Sequence, residues 1–348
     1  IGSDYQVNAG AQRGFGYSCA MSADGSVIAF GAPFFSNGVG KVHVFSGTNW
    51  STETVLQASD GAGSFDSFGA AIAMSDDGTK IAVGAPAALV SAVAVGKVYV
   101  YSGSSWGTET ILTFAGAVVG QNWGADVCMS GDGTAIGCCA VGEGVSLVPL
   151  LCVRNGASWG TQNNVTTTAV VADGLGFDNS TMSMSNDGTK FCLGASTRTS
   201  FKGSVFVYSG ASWGTETILV ASDGVANDTN GNTVGMSSDG ATIVSGAWQC
   251  VTGTDGQGAI YVYSGASWAT QEKIVLSGAT SQNQGSWAGY VEISADASIV
   301  MGDQRGPTLF PASAGRAAAA LDAGSILLFR TSKSNVLRNI DKTRHPHP

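Results

Sequence analysis

FGAAIAMSDDGTKIAVGAP (Phe68–Pro86) recurs along the chain, and its continuation through a variable loop into GKVYVYSG (Gly96–Gly103) and SWGTETIL (Ser105–Leu112) recurs with it. Close copies begin at Phe15, Trp123, Phe177, Asn230 and Trp287, a spacing of roughly 55 residues that signals a propeller or solenoid array. Within each copy, a small-residue strand (a) meets a second strand (b) across an Asp-Gly pair: Asp24-Gly25, Asp77-Gly78, Asp132-Gly133, Asp187-Gly188 and Asp239-Gly240, decaying to Asp296-Ala297. Glycine supplies the positive φ of a tight turn and aspartate bonds its own backbone, so a and b form a hairpin.

After a loop of varying length comes an alternating strand c: KVHVFSG (Lys41–Gly47), KVYVYSG (Lys97–Gly103), SVFVYSG (Ser204–Gly210) and AIYVYSG (Ala259–Gly265). This is the period-2 pattern of a strand packed on both faces. A corner with Trp50, Trp106, Trp159, Trp213 or Trp268 then leads into strand d, TETVL or TETIL in three of the copies, polar as an outer edge requires. One four-stranded antiparallel sheet cannot bury two apolar faces, whereas a ring of them can. The expectation is an all-β chain forming one β-propeller of six blades, seven being the alternative. It spans 1–330 and is followed by a C-terminal segment, 331–348, with a closing strand at 335–340 and a basic flexible tail.

Composition agrees. The 348 residues include 50 Gly and only 12% charged residues, which suits short strands and tight turns. A net charge of -9, with 16 scattered Lys and Arg, argues against nucleic-acid binding. No apolar run is long enough to span a membrane, and no signal peptide opens the chain; Ile1 in place of Met fits a processed or truncated form. Seven cysteines is an odd number, and Cys19, Cys128, Cys138, Cys139, Cys152 and Cys192 fall inside predicted strands in place of Ala, Val or Ile. They read as free buried thiols. Met21, Met74, Met129, Met184 and Met236, with Ile293 in the sixth copy, occupy the end of strand a and read as core.

The copies disagree most in their b-to-c segments. The third carries CCAVGEGVSLVPLLCVRNG (Cys138–Gly156) and the sixth DQRGPTLFPASAGRAAAALDAG (Asp303–Gly324). Long loops on a rigid scaffold are where binding resides, so Asp303, Arg305, Phe310 and Arg316 are interaction candidates. Arg338, Lys342 and Arg344 join them from the basic tail, which suits an acidic docking surface. Ring closure has three readings: NVLRNI (Asn335–Ile340) as the last strand d, Tyr5–Gly10 as its partner or replacement, or strand addition from a neighbouring subunit.

The FG at Phe15-Gly16 and Phe68-Gly69, followed by GAP at Gly31–Pro33 and Gly84–Pro86, resembles the FG-GAP repeat. The closest likeness is to the bacterial and viral type that reads SxDGTxxAVGAP, then GxVYVYS. The resemblance implies a propeller like the head of integrin alpha subunits, with extracellular adhesion and protein contact as usual roles. Integrin-type repeats often carry a DxDxDG calcium loop in the a-to-b hairpin. Here Asp24, Asp77, Asp132, Asp187 and Asp239 align with it, but the positions two and four residues earlier are uncharged. Calcium prefers six to eight oxygens, so these aspartates read as turn formers, with calcium ligation the alternative.

Other chemistry is sparse. There are three histidines; His43 sits in a strand c and reads as packing, and no P-loop or HExxH is present. GVGKV and AVGKV open strands, not the helix a phosphate loop needs. Asn49, Asn164, Asn179 and Asn227 begin glycosylation sequons, which abundant Ser and Thr explain by chance. The tryptophans read as corner locks before glycan-stacking platforms. The functional expectation is a non-enzymatic structural or adhesive module without cofactor, contacting protein subunits on a cell surface, appendage or virion. A glycan-binding lectin using the b-to-c loop face is the alternative, and a hydrolase with an axial site a further one.

Overall fold

The serine two residues before each turn aspartate builds the same hairpin six times. Ser22, Ser75, Ser130, Ser185, Ser237 and Ser294 each donate a hydroxyl to the aspartate Oδ1 at 2.6–2.8 Å. Each serine oxygen then accepts the backbone N–H five residues on, while the aspartate accepts the N–H two residues beyond itself. In the sixth copy Ala297 takes the glycine's left-handed conformation, at φ 58°, and the bonds persist. Serine and aspartate fix the turn; glycine only makes it cheaper.

The computed structural model describes residues 14–60, 65–116, 118–140, 149–175, 181–252, 255–256, 258–275, 287–304 and 325–330. Five antiparallel sheets run a-b-c-d in spatial as in chain order. The first comprises Cys19–Met21, Ile28–Gly31, Val42–Ser46 and Thr52–Leu56, and the second Ala71–Met74, Ile81–Ala85, Lys97–Ser102 and Thr108–Leu112. The third comprises Trp123–Met129, Ile136–Ala140, Leu150–Asn155 and Thr161–Val165, and the fourth Met182–Met184, Phe191–Ala195, Ser204–Ser209 and Thr215–Leu219. Asn230–Met236, Ile243–Ala247, Ala259–Ser264 and Thr270–Ile274 form the fifth. The sixth has three described strands, Trp287–Ile293, Ile299–Gln304 and Ser325–Arg330. The proposed closing strand at 335–340 and Tyr5–Gly10 lie outside the described residues.

Core side chains collect between consecutive sheets. Val42 and Val44 of the first pack with Ile81, Val83 and Tyr99 of the second, and Leu151 and Val153 of the third with Phe191, Leu193 and Phe206 of the fourth. The second packs on the third, the fourth on the fifth, and the fifth on the sixth in the same way. Burial of both faces of each inner sheet is the main stabilising term.

The repeated FG and GAP residues are joints between copies. Gly69 sits at φ 91°, where a Cβ would lie 2.7 Å from the Lys41 carbonyl oxygen, and its own carbonyl fills the space that a Cβ on Gly31 of the preceding copy would need. The same pairing links Gly84 with Gly124 and Gly194 with Gly231. Beside it, the glycine opening strand c bridges in parallel to the start of the next copy: Gly40 to Phe68, Gly96 to Trp123 and Gly203 to Asn230. That is why GVGKV and AVGKV carry glycine.

Each c-to-d corner is tied to its own hairpin. Indole N–H groups of Trp50, Trp106, Trp159, Trp213 and Trp268 donate to the carbonyls of Gly25, Gly78, Gly133, Gly188 and Gly240 at 2.9–3.1 Å. For Trp106→Phe we expect a loss of about 1 kcal/mol in chemical unfolding, from the bond alone. Trp106→Ala loses about 3–5 kcal/mol, because the packing goes too.

Candidate functional site

Where the turns meet, their backbones join. The residue between serine and aspartate donates its N–H to the same residue of the next copy: Ala23 to Asp76 and Asp76 to Gly131 at 2.8 Å, Gly131 to Asn186 at 3.0 Å, Asn186 to Ser238 at 2.9 Å, and Ser238 to Ala295 at 3.0 Å. These five links draw the six hairpins around one axis and cap one end of it. The Asn186 amide also donates to the Asp76 carboxylate across Gly131.

Beyond this cap, strands a from all six sheets enclose a cavity of about 100 Å³, with Cys19, Ile72, Asp126, Met182, Val234 and Glu292 in its wall. Asp126 is a staple between the third and fourth sheets. Its Oδ2 accepts the Thr181 N–H at 2.7 Å and the Thr181 hydroxyl and Met182 N–H at 3.0 Å, and its Oδ1 accepts the Val127 N–H at 2.8 Å. Burial nevertheless raises its carboxyl to about 6, so desolvation outweighs four donors. Two other joints, first to second and fifth to sixth, use neutral groups in similar positions: the Ser18 hydroxyl donates to Gly69, and the Thr233 hydroxyl accepts from Val291.

Glu292 occupies a position that holds Ala20, Ala73, Cys128, Ser183 and Gly235 in the other copies. It is accessible along the cavity wall, and desolvation by the protein packed around it raises its carboxyl to about 7 against one hydrogen bond from the Ile293 amide. Among the described residues it hydrogen-bonds to no other side chain. Strand a facing it is less covered than its counterparts: Met21 is 62% exposed, whereas Met129, Met184 and Met236 are 7–8% exposed. So the core reading holds for those three methionines and fails for Met21. Cys19 is likewise exposed, correcting its assignment as a buried thiol, while Cys128, Cys138, Cys139, Cys152, Cys192 and Cys250 are buried, and all seven are free. Partial desolvation by the surrounding protein and then the charge of Glu292 hold the Cys19 thiol above its ordinary value. Native alkylation with iodoacetamide should therefore modify Cys19 slowly and alone, as read by peptide mass spectrometry; labelling of Cys139 or Cys192 first would contradict this packing.

The turn aspartates are spent on their hairpins. Hydrogen bonds from the Ser26 amide, then from the Ser26 and Ser22 hydroxyls, lower the Asp24 carboxyl to about 2. Asp77 and Asp132 are lowered by their serine and threonine partners, and Asp187 is lowered despite burial. Asp239 accepts the same pair of bonds. No group of three or more His, Cys, Asp or Glu among the described residues could hold a metal ion. His43 is buried, with Nδ1 2.6 Å from Glu53 Oε1 and Phe15 edge-on to its ring. The corners Gly103–Gly107, Gly156–Gly160 and Gly210–Gly214 have the spacing GxSxG of a hydrolase nucleophile turn, but here it joins two strands of a sheet.

The end opposite the cap carries the b-to-c and d-to-a loops, and these expose large apolar side chains. Phe34 is 43%, Phe65 69%, Val119 66% and Phe201 49% exposed, and Leu89, Val170 and Val225 are exposed on the same class of loop. Of the interaction candidates, Asp303 lies in the second strand of the sixth sheet, paired with Ile326. Arg305, Phe310, Arg316, Arg338, Lys342 and Arg344 lie outside the described residues. Sequence reading missed Asp126 and Glu292. The signal was present: each is a charged residue in strand a at a position that is uncharged in every other copy.

The FG-GAP repeat family matches the chain at residues 50–101 and 213–263. No curated protein matches it. Among solved structures, the chain is similar to hydrazine synthase of Kuenenia stuttgartiensis, at 14% identity and a TM-score of 0.56, over 87% of this chain and 78% of that one. It is also similar to TolB from Acinetobacter baumannii, at 16% identity and a TM-score of 0.47, over 75% of this chain and 54% of that one. At such identities the likeness is one of fold. With its sheets packed face to face around one axis and the repeat matched in two places, the chain is a β-propeller that carries FG-GAP repeats.

Proposed function

We propose that the protein is a non-enzymatic structural or adhesive module that contacts other protein subunits in an assembly on a cell surface, appendage or virion. One observation carries the reading: the two ends of the propeller are built differently. One end is closed by the linked turns and the tryptophan corners, which repeat from copy to copy. The other presents Phe34, Phe65, Val119 and Phe201 on loops whose sequences vary from copy to copy. Apolar side chains grouped on one face favour burial against another protein, since a solvated loop has no use for them. The glycan alternative draws less support, because the five corner tryptophans spend their indole N–H groups within their own copies.

Sedimentation of the native material tests the proposal. The chain should travel in a particle much heavier than its own 35.1 kDa, and Phe34→Ser, Phe65→Ser and Phe201→Ser together should release it as a folded monomer. A native monomer would sink the proposal. A hydrolase with an axial site is a second reading, favoured by Asp126 and Glu292 meeting at one cavity with raised carboxyls. Against it, all the hydrogen bonds of Asp126 go to structural partners.

A further inference from the structure

The axial cavity holds one carboxylate that the fold does not use. Ser18 spends its hydroxyl hydrogen on the Gly69 carbonyl at 2.8 Å, and Ser183 accepts the Met236 N–H at 3.0 Å. Asp126 takes four donors. Glu292 remains, in a wall that sets Ile72, Val127, Met182 and Val234 beside the committed polar groups of Ser18, Asp126 and Ser183. Its counterpart in every other copy is small and uncharged. Nothing in the packing of the sheets requires a carboxylate there, and partial desolvation makes a charged one costly.

We propose that this cavity binds a primary alkylammonium group, with Glu292 as its counter-charge and Ile72, Val127, Met182 and Val234 around its stem. The chemistry of the lining selects this ligand class. A calcium ion needs six to eight oxygens, and one free carboxylate falls far short. An anion would meet Glu292 itself. An ammonium group on a short alkyl stem needs one free carboxylate and suits a wall that mixes hydrogen-bond acceptors with aliphatic side chains, and about 100 Å³ holds such a group where several waters would otherwise sit. The turn cap closes one end of the axis, so entry is from the loop face. The group can belong to a free amine or to a lysine side chain reaching in from another protein.

The test uses the whole chain and two probes, n-propylammonium chloride and Nα-acetyl-lysine amide, titrated by calorimetry at pH 8, with n-propanol as the uncharged control. Saturable one-to-one binding of either amine, and none of propanol, is expected. Binding of propylammonium alone assigns a free amine; binding of the lysine derivative assigns a side chain. Glu292→Gln should weaken binding at least tenfold. With a carboxyl titrating at about 7, affinity should fall about thirty-fold from pH 8 to pH 5.5, because the proton and the ammonium group compete for it. Should Glu292→Gln fail to fold, the wild-type Glu292 carboxyl resonance serves instead: a saturating amine should move its titration to lower pH. No saturable binding, binding indifferent to Glu292 and pH, or an unmoved carboxyl titration overturns the proposal.

Discussion

Gly96→Ala is expected to cost about 4 kcal/mol or more and to leave little folded protein, as read by guanidinium unfolding. Gly96 lies at φ 87°, where a Cβ would stand 2.6 Å from the Trp123 amide nitrogen and closer still to its carbonyl oxygen. Those atoms belong to the parallel bridge that holds the second sheet to the third, so the new carbon meets backbone, which has nowhere to move. Gly107→Ala is the control. Gly107 has φ -77°, and its Cβ would come no nearer than 3.3 Å to the Ser104 carbonyl, so the change should stay within about 1 kcal/mol. Equal losses in the two variants would mean that the joint is not the weak point.

Asp126→Ala should cost about 3 kcal/mol near neutral pH, since it strands two backbone N–H groups and a hydroxyl of the fourth sheet, together with the Val127 N–H. The pH dependence separates the charge from the packing. The folded carboxyl titrates at about 6, above an unfolded value of about 3.9, so the folded state holds the extra proton between those limits. Stability from this group is greatest below pH 4 and falls by about 3 kcal/mol as pH rises to 6, then levels off. Asp24 and Asp296, lowered to about 2, act in the opposite sense, and what they contribute is lost as pH falls from 4 toward 2. Melting curves should therefore be highest near pH 4, and Asp126→Asn should flatten the slope between pH 4 and 6. A wild-type profile rising across that interval would refute the assignment.

The hairpins, strands and corners were legible in the sequence because each rests on local chemistry. Ser-x-Asp-Gly specifies its turn wherever it occurs, and alternating Val and Tyr specify a strand buried on two faces. The axial cavity was not legible for the opposite reason. Asp126 and Glu292 come together only through the packing of separate copies, and reading the repeat as a consensus hides a position at which one copy differs. Cys19 and Met21 read as core by the same averaging, although in the first copy this strand is exposed where the equivalent Met129, Met184 and Met236 are buried. The loop-face phenylalanines escaped notice because exposure of a single apolar residue depends on what the neighbouring loops leave uncovered.

The FG-to-GAP joint has a consequence for how the ring comes apart. The carbonyls of Gly69, Gly124 and Gly231 are engaged by the preceding copy, but a Cβ on Gly16, the first FG glycine, would touch nothing within 4 Å among the described residues. Among the described residues the chain of linked turns also runs from Ala23 to Ala295 and no further. Protection against hydrogen exchange should accordingly be graded around the circle, with amides of the first and sixth sheets opening at the lowest free energy and those of the third and fourth last. The ring then has a first place to breathe, between its first and sixth sheets.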